Sequence, residues 1–181
     1  GGEGAEMAVR NALMPFLQGA VATPVDDTIV QAGLRALGRL REPASLPVLI
    51  SFLDQPRWAR FAAEALGDFG GEPAAHALAT RYPFYARGLN GEEPQRVPED
   101  DRPGFESLDR MYETPFQIAA AISRLPVAQS DLIRLAPLLM ANLPSDFDGA
   151  VLYEPEAAQA ITVHLLEKAG LRDAARDAAL A

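Results

Sequence analysis

The apolar positions of this chain recur every three to four residues over long stretches, the period of a helix that buries one face. Val9, Leu13, Phe16 and Leu17 make the first stripe and predict a helix from about Ala5 to Gln18, bent at Pro15 and stopped by Gly19. Val30, Leu34, Leu37 and Leu40 make the second. Thr23-Pro24 opens it: threonine caps, proline suits the first helical position, and Asp26 stands where a capping box needs an acid. A short connection, REPAS, leads to Leu46, Leu49, Ile50 and Leu53 on a partner helix. Pro56 then starts a second unit, whose stripe of Trp58, Phe61, Ala62, Ala65, Leu66 and Phe69 is the strongest in the chain. Gly70-Gly71 ends that helix, and Pro73 opens a short partner containing Ala77 and Leu78.

From roughly Arg81 to Glu113 the rhythm is lost, and prolines and glycines crowd the chain. A stretch this long inside a compact fold is functional or disordered. FESLDRMY, Phe105 to Tyr112, predicts a short helix within it. Thr114-Pro115 repeats the earlier start signal, and Ile118, Ile122 and Leu125 give a third first-helix. Ser130 is expected to cap its partner, which carries Leu132, Leu135, Leu139 and Leu143 inward and a kink at Pro137. After a second loop containing SDFDG, Pro155 opens a last long helix with Ala158, Ile161 and Leu165, ended by Gly170. Leu171 to Ala181 predicts a short amphipathic helix that caps the array.

Two words stand out in this pattern. Ala36-Leu37-Gly38 in QAGLRALGRL returns about thirty residues later as Ala65-Leu66-Gly67 in RFAAEALGDF. A supersecondary unit repeated at this period marks a solenoid, whose units cannot bury their apolar faces alone. The units Thr23 to Leu53 and Pro56 to Tyr82 resemble HEAT-like repeats of the short bacterial type first recognised in phycobilisome lyase subunits. The shared pattern is AAxALGxxG followed by an Ala/Pro/Leu-rich second helix. Ala62-Ala63-Glu64-Ala65-Leu66-Gly67-Asp68-Phe69-Gly70 follows it closely, and Gln31 to Leu40 does so with Gly33 and Leu34 at the alanine pair. The likeness fades at Pro115 to Leu143, where Ser123 replaces the glycine. The expected fold is therefore all-α: an α-solenoid of stacked antiparallel helix pairs, right-handed, HEAT-like or armadillo-like, in one domain over 1–181 with one irregular insertion at about 81–113. The resemblance implies helix stacking and protein binding, and carries no catalytic residues.

Composition narrows the function. Alanine is abundant, which favours helix. Apolar residues make up 49% and charged residues 23%, a globular balance that argues against disorder. The formal charge of -9 argues against nucleic acid, which requires a basic face to release counterions. The one local basic stripe, Arg35, Arg39 and Arg41, reads as a solvated helix face. Cysteine is absent, so disulfides and cysteine metal sites are excluded. Lys168 is the only lysine, and the arginine-dominated usage points to a GC-rich bacterial genome. No run approaches the ~18 apolar residues of a membrane span, and no signal peptide is visible. The chain opens Gly1-Gly2-Glu3-Gly4 without an initiating Met, which suggests a processed product or a fragment. Cytoplasmic residence is slightly favoured, and a removed signal peptide leaves the periplasm or cell surface open.

Candidate chemistry is sparse. His76 and His164 lie far apart without a second histidine at the spacing of a helical zinc site, and read as structural or surface residues. Glu92, Glu93, Glu99, Asp100 and Asp101 crowd the insertion without the ligand spacing of a calcium loop. Asp146 and Asp148 before Gly149 resemble only a fragment of one. No nucleophile elbow, phosphate loop, dinucleotide fingerprint or local Ser-His-Asp signature is present. No cofactor and no metal is expected. Trp58 reads as inter-repeat core.

The aromatics flanking the insertion give the better lead. Tyr82, Phe84, Tyr85, Arg87, Arg110 and Tyr112, with Arg81 and Phe105 beside them, form the Tyr/Arg mixture enriched at binding hot spots. The competing reading is that these rings pin the insertion to the stack. The expected function is a non-catalytic protein-interaction or scaffold module of a bacterial protein, with a protein or peptide partner. The alternatives are an accessory or tetrapyrrole-lyase-like subunit of an enzyme, and a structural segment of a larger chain. An unpaired end helix makes a homodimer through that end plausible.

Overall fold

The computed structural model describes residues 2–18, 24–86, 106–143 and 155–180. Among them are nine α-helices and no strand. They are α1 (Gly2–Leu17), α2 (Pro24–Leu40), α3 (Leu46–Leu53), α4 (Ala59–Phe69), α5 (Gly71–Tyr85), α6 (Glu106–Ser123), α7 (Gln129–Ala141), α8 (Pro155–Lys168) and α9 (Arg172–Ala179), with a 3-10 turn at Pro43–Ser45. Helices α2, α4, α6 and α8 each pack on the next and make one layer. Helices α1, α3, α5 and α7 make a second layer in the same way, and each also packs on the first-layer helix that follows it. This is an all-α stack of helix pairs.

The predicted stripes supply the core. Val30, Leu34, Leu37, Leu49, Phe52, Leu66, Leu78, Ile118, Ile122, Leu132 and Leu135 are all buried in one continuous cluster. Burying each large side chain contributes about 1.5–3 kcal/mol. First-layer helices approach at small residues, Gly38 against Ala65 and Gly67 against Ala121. At the far end Ala136, Leu166, Ala175 and Ala178 form a smaller cluster that holds α9.

Several boundaries differ from the sequence expectation. Pro56 lies in a turn, and α4 starts at Ala59 after Trp58. The partner helix α5 is not short: it continues through Pro83 to Tyr85. On the other side of the insertion, α6 begins at Glu106, so the expected short helix and the third first-helix are one element. Thr114-Pro115 is thus internal to α6 rather than its start, and Thr114 is buried. Residues 81–85 and 106–113 of the expected insertion are therefore helical. Ser130 lies in the first turn of α7, whose N-cap is Ala128. Pro155 does open α8, and Gly170, at φ 82°, stands past its end in the conformation glycine favours. Gly19, Thr23, the acidic cluster at 92–101, Phe105 and SDFDG lie outside the described residues.

Proline within α5 has a visible compensation. Pro83 has no N–H to offer the carbonyl four residues earlier, which belongs to Ala79. The Arg134 guanidinium from α7 donates to that oxygen at 3.4 Å. Other polar groups tie separate elements. The Ser45 hydroxyl donates to buried Glu6 at 2.9 Å, fastening α1 to the 3-10 turn. Lys168 Nζ donates to the Leu125 carbonyl at 2.6 Å, and Gln129 Nε2 donates to the Ala169 carbonyl at 3.0 Å, joining α8 to the α6–α7 connection.

Candidate functional site

The helices of the second layer bring their C-terminal ends to one edge. Asp54 follows α3, Tyr82, Phe84 and Tyr85 form the last turn of α5, and Asn142 follows α7. The Tyr85 hydroxyl donates to the Leu53 carbonyl at 2.6 Å. Arg81 donates to Asp54 at 2.8 Å, one turn away on the same pair of helices. Tyr82 is hydrogen-bonded to the Asn142 side chain. Phe84 stands edge-on to Tyr85, with ring centroids 4.9 Å apart.

Burial separates these aromatics into two roles. Tyr82 is 2% exposed and Tyr85 7%, whereas Phe84 is 43% exposed. Removal from water holds both phenols well above their ordinary ionisation range; the Asn142 hydrogen bond opposes this at Tyr82. At Tyr85 nearby Asp54 adds to the rise and Arg81 opposes it. Both phenols therefore stay neutral, and their rings are spent inside the stack. Of the three aromatics expected at this edge, Tyr82 and Tyr85 lie inside the stack and Phe84 projects from it. Arg87 lies outside the described residues. Arg110 and Tyr112 fall on the first two turns of α6.

Sequence reasoning missed the polar groups that build this edge. Asp54 and Arg81 are 27 residues apart, close to the repeat period, and that spacing was the available signal. The same signal marks a row of ties between first-layer helices. Arg35 donates to Glu64 at 3.0 Å across 29 residues, so the two side chains occupy the same place in successive units. Arg41 Nε donates to the Asp68 carbonyl at 2.8 Å. Of the stripe read as a solvated face, Arg35 and Arg41 are therefore tied to the next repeat, and Arg39 is exposed.

Trp58 is core, as expected. It is 4% exposed and meets Phe16 and Phe52 edge-on, at centroid distances of 5.8 and 5.6 Å. Its indole N–H donates to Asp27 Oδ1 at 2.8 Å, and Arg57 Nε donates to the same oxygen at 2.8 Å. His76 is exposed, with Nδ1 3.7 Å from Asp131, and His164 is exposed on α8. Among the described residues, no three His, Asp or Glu side chains come together to hold a metal ion. No described helix is long and apolar enough to cross a membrane.

Residues 31–55 match the family described as PBS lyase HEAT-like repeat. The matched segment is most of α2, the 3-10 turn and α3, the elements whose stacking is described above. The match supports a HEAT-like repeat in an all-α stack, and repeats of this kind make interaction or scaffold modules. No curated protein and no solved structure matches the chain.

Proposed function

We propose that this chain is a non-catalytic protein-interaction module of a bacterial protein, which takes a protein or peptide at the edge where α3, α5 and α7 end. The observation that carries this reading is the division of labour in the last turn of α5. Tyr82 and Tyr85 are buried and hydrogen-bonded, while Phe84 between them is exposed on a fixed support. A rigid, partly exposed aromatic loses little conformational entropy on binding, and such anchors dominate interface energies. Arg87, Arg110 and Tyr112 are the further contacts proposed around it. The segment matched by the repeat family supplies packing residues, which supports a scaffold over a lyase-like role.

The test is affinity capture from the native cell extract with wild-type protein and with the Phe84→Ala/Arg87→Ala variant. A protein or peptide held by the wild type and lost by the variant, at an unchanged unfolding midpoint, is the expected result. An identical captured set from both folded proteins would sink the reading.

A further inference from the structure

The turn of α5 that carries Phe84 is interrupted from within. Pro83 stands one residue before Phe84 and offers no N–H to the Ala79 carbonyl. Ala79 is fully buried, so that oxygen has no access to water. A buried acceptor left unpaired is costly, and the gap leaves the last turn one backbone hydrogen bond short of a continuous helix.

Side chains on both flanks hold the turn instead. On the α3 side Tyr85 donates to the Leu53 carbonyl. On the α7 side Tyr82 is hydrogen-bonded to Asn142, and Arg134 donates from Nη2 to the Ala79 carbonyl at 3.4 Å. The two tyrosine bonds fix rings that point inward. The Arg134 bond, alone of these three, falls on the carbonyl that Pro83 frees. The same Nη2 donates to Asp131 Oδ1 at 3.0 Å, so the guanidinium is anchored on its own helix where it reaches across to α5. Half of the Arg134 side chain is exposed, so it fills no space in the core. Its contribution is the hydrogen bond rather than packing.

We infer that Arg134 is a positioning residue for Phe84: from α7 it closes the gap that Pro83 opens in α5, and so sets the direction in which the last turn presents the exposed ring. This rests on the reading of Phe84 as the anchor of the binding edge. The edge then belongs to two units of the stack, since α5 supplies the ring and α7 holds it. At 3.4 Å the contact is near the outer limit of a hydrogen bond, so presentation of Phe84 depends on how α5 stacks against α7.

The test reads the ring itself and needs no partner. The whole chain labelled with para-fluorophenylalanine carries eight fluorinated rings, and the resonance lost in Phe84→Leu is that of Phe84. Phe84 stands edge-on to Tyr85 at 4.9 Å, so its resonance senses a change in the placement of either ring. Arg134→Ala is expected to shift this resonance and to speed hydrogen exchange of the Phe84, Tyr85 and Ala86 amides about tenfold. Pro83→Ala returns a backbone N–H to the Ala79 carbonyl, so adding Arg134→Ala to that chain should change neither. A general loss of charge or stability would not show this dependence on Pro83. A folded Arg134→Ala chain whose Phe84 resonance stays in place overturns the inference, and so does an equal shift with and without Pro83. Should Arg134→Ala fail to fold, recovery in Pro83→Ala/Arg134→Ala supports the inference and continued unfolding overturns it. Failure here is distinct from failure of the binding reading, which turns on what the Phe84→Ala/Arg87→Ala variant captures.

Discussion

Gly38 of α2 lies against the backbone of Ala65 in α4, so closely that a Cβ on Gly38 would stand 3.0 Å from both the Ala65 Cα and its carbonyl carbon. Both residues belong to the repeated Ala-Leu-Gly word, at its last position in one unit and its first in the next. The word is therefore a packing device: the glycine of one unit receives the alanine backbone of the following one. Gly67 repeats the arrangement against Ala121, whose Cβ would lie 3.2 Å from an added Cβ.

The two glycines should respond differently to alanine. Gly38→Ala drives a methyl into backbone and should cost about 1–3 kcal/mol by overpacking. At Gly67 the closest atom is the Arg124 guanidinium nitrogen, 2.5 Å away at the end of an exposed, flexible side chain. Gly67→Ala should be near neutral, since alanine regains about 1 kcal/mol of helix propensity. Urea denaturation of both variants measures the difference.

Asp27 accepts from Trp58 and Arg57 Nε at Oδ1 and from Arg57 Nη2 at Oδ2. Asp27→Ala should cost about 1–3 kcal/mol, because a buried indole N–H is left without its acceptor. Trp58 is the only tryptophan, so its fluorescence reports the site directly and should shift to the red in the folded variant.

Tyr85→Phe keeps the ring and removes the donor to Leu53. The expected loss is about 1 kcal/mol. The thermal midpoint should fall while Phe84-dependent capture persists. Loss of capture at full stability would instead assign the hydroxyl to the partner.

Alkaline pH should destabilise the fold through the two buried phenols. Both buried tyrosines ionise at higher pH in the folded chain than in the unfolded one, where the value is about 10. Above that pH the unfolded state has released the proton and the folded state still binds it, so stability falls. The contribution is complete below about pH 10 and is lost as the pH climbs toward the folded-state value. For Tyr82 alone the slope approaches about 1.4 kcal/mol per pH unit. Urea midpoints from about pH 9 to about pH 12 should show this fall, and Tyr82→Phe should flatten it.

Glu6 accepts from the Ser45 hydroxyl, and both side chains are buried. Ser45→Ala should therefore cost about 1–3 kcal/mol by leaving a buried carboxylate short of a donor. Hydrogen exchange should speed up in α1 before α4, since the bond fastens only the N-terminal helix to the stack.

What the sequence by itself determined is the set of helices and their buried faces. Apolar residues at helical spacing must be covered, and the stripes through Leu34, Leu66, Ile118 and Leu135 all are. The repeated word also fixed the kind of stack, because glycine and alanine at one point on each helix permit close approach. Prolines marked the starts of α2 and α8 correctly, but not every boundary was legible. Pro83 fell in the expected irregular stretch and Pro115 at an expected helix start, yet both sit inside helices, and at Pro83 a neighbouring arginine satisfies the freed carbonyl. Only tertiary structure decided which of three adjacent aromatics faces out. Tyr82, Phe84 and Tyr85 are alike to a sequence pattern, but in the stack the two phenols hydrogen-bond Asn142 and the Leu53 carbonyl. Phe84 has no hydroxyl to bind, and it remains at the surface.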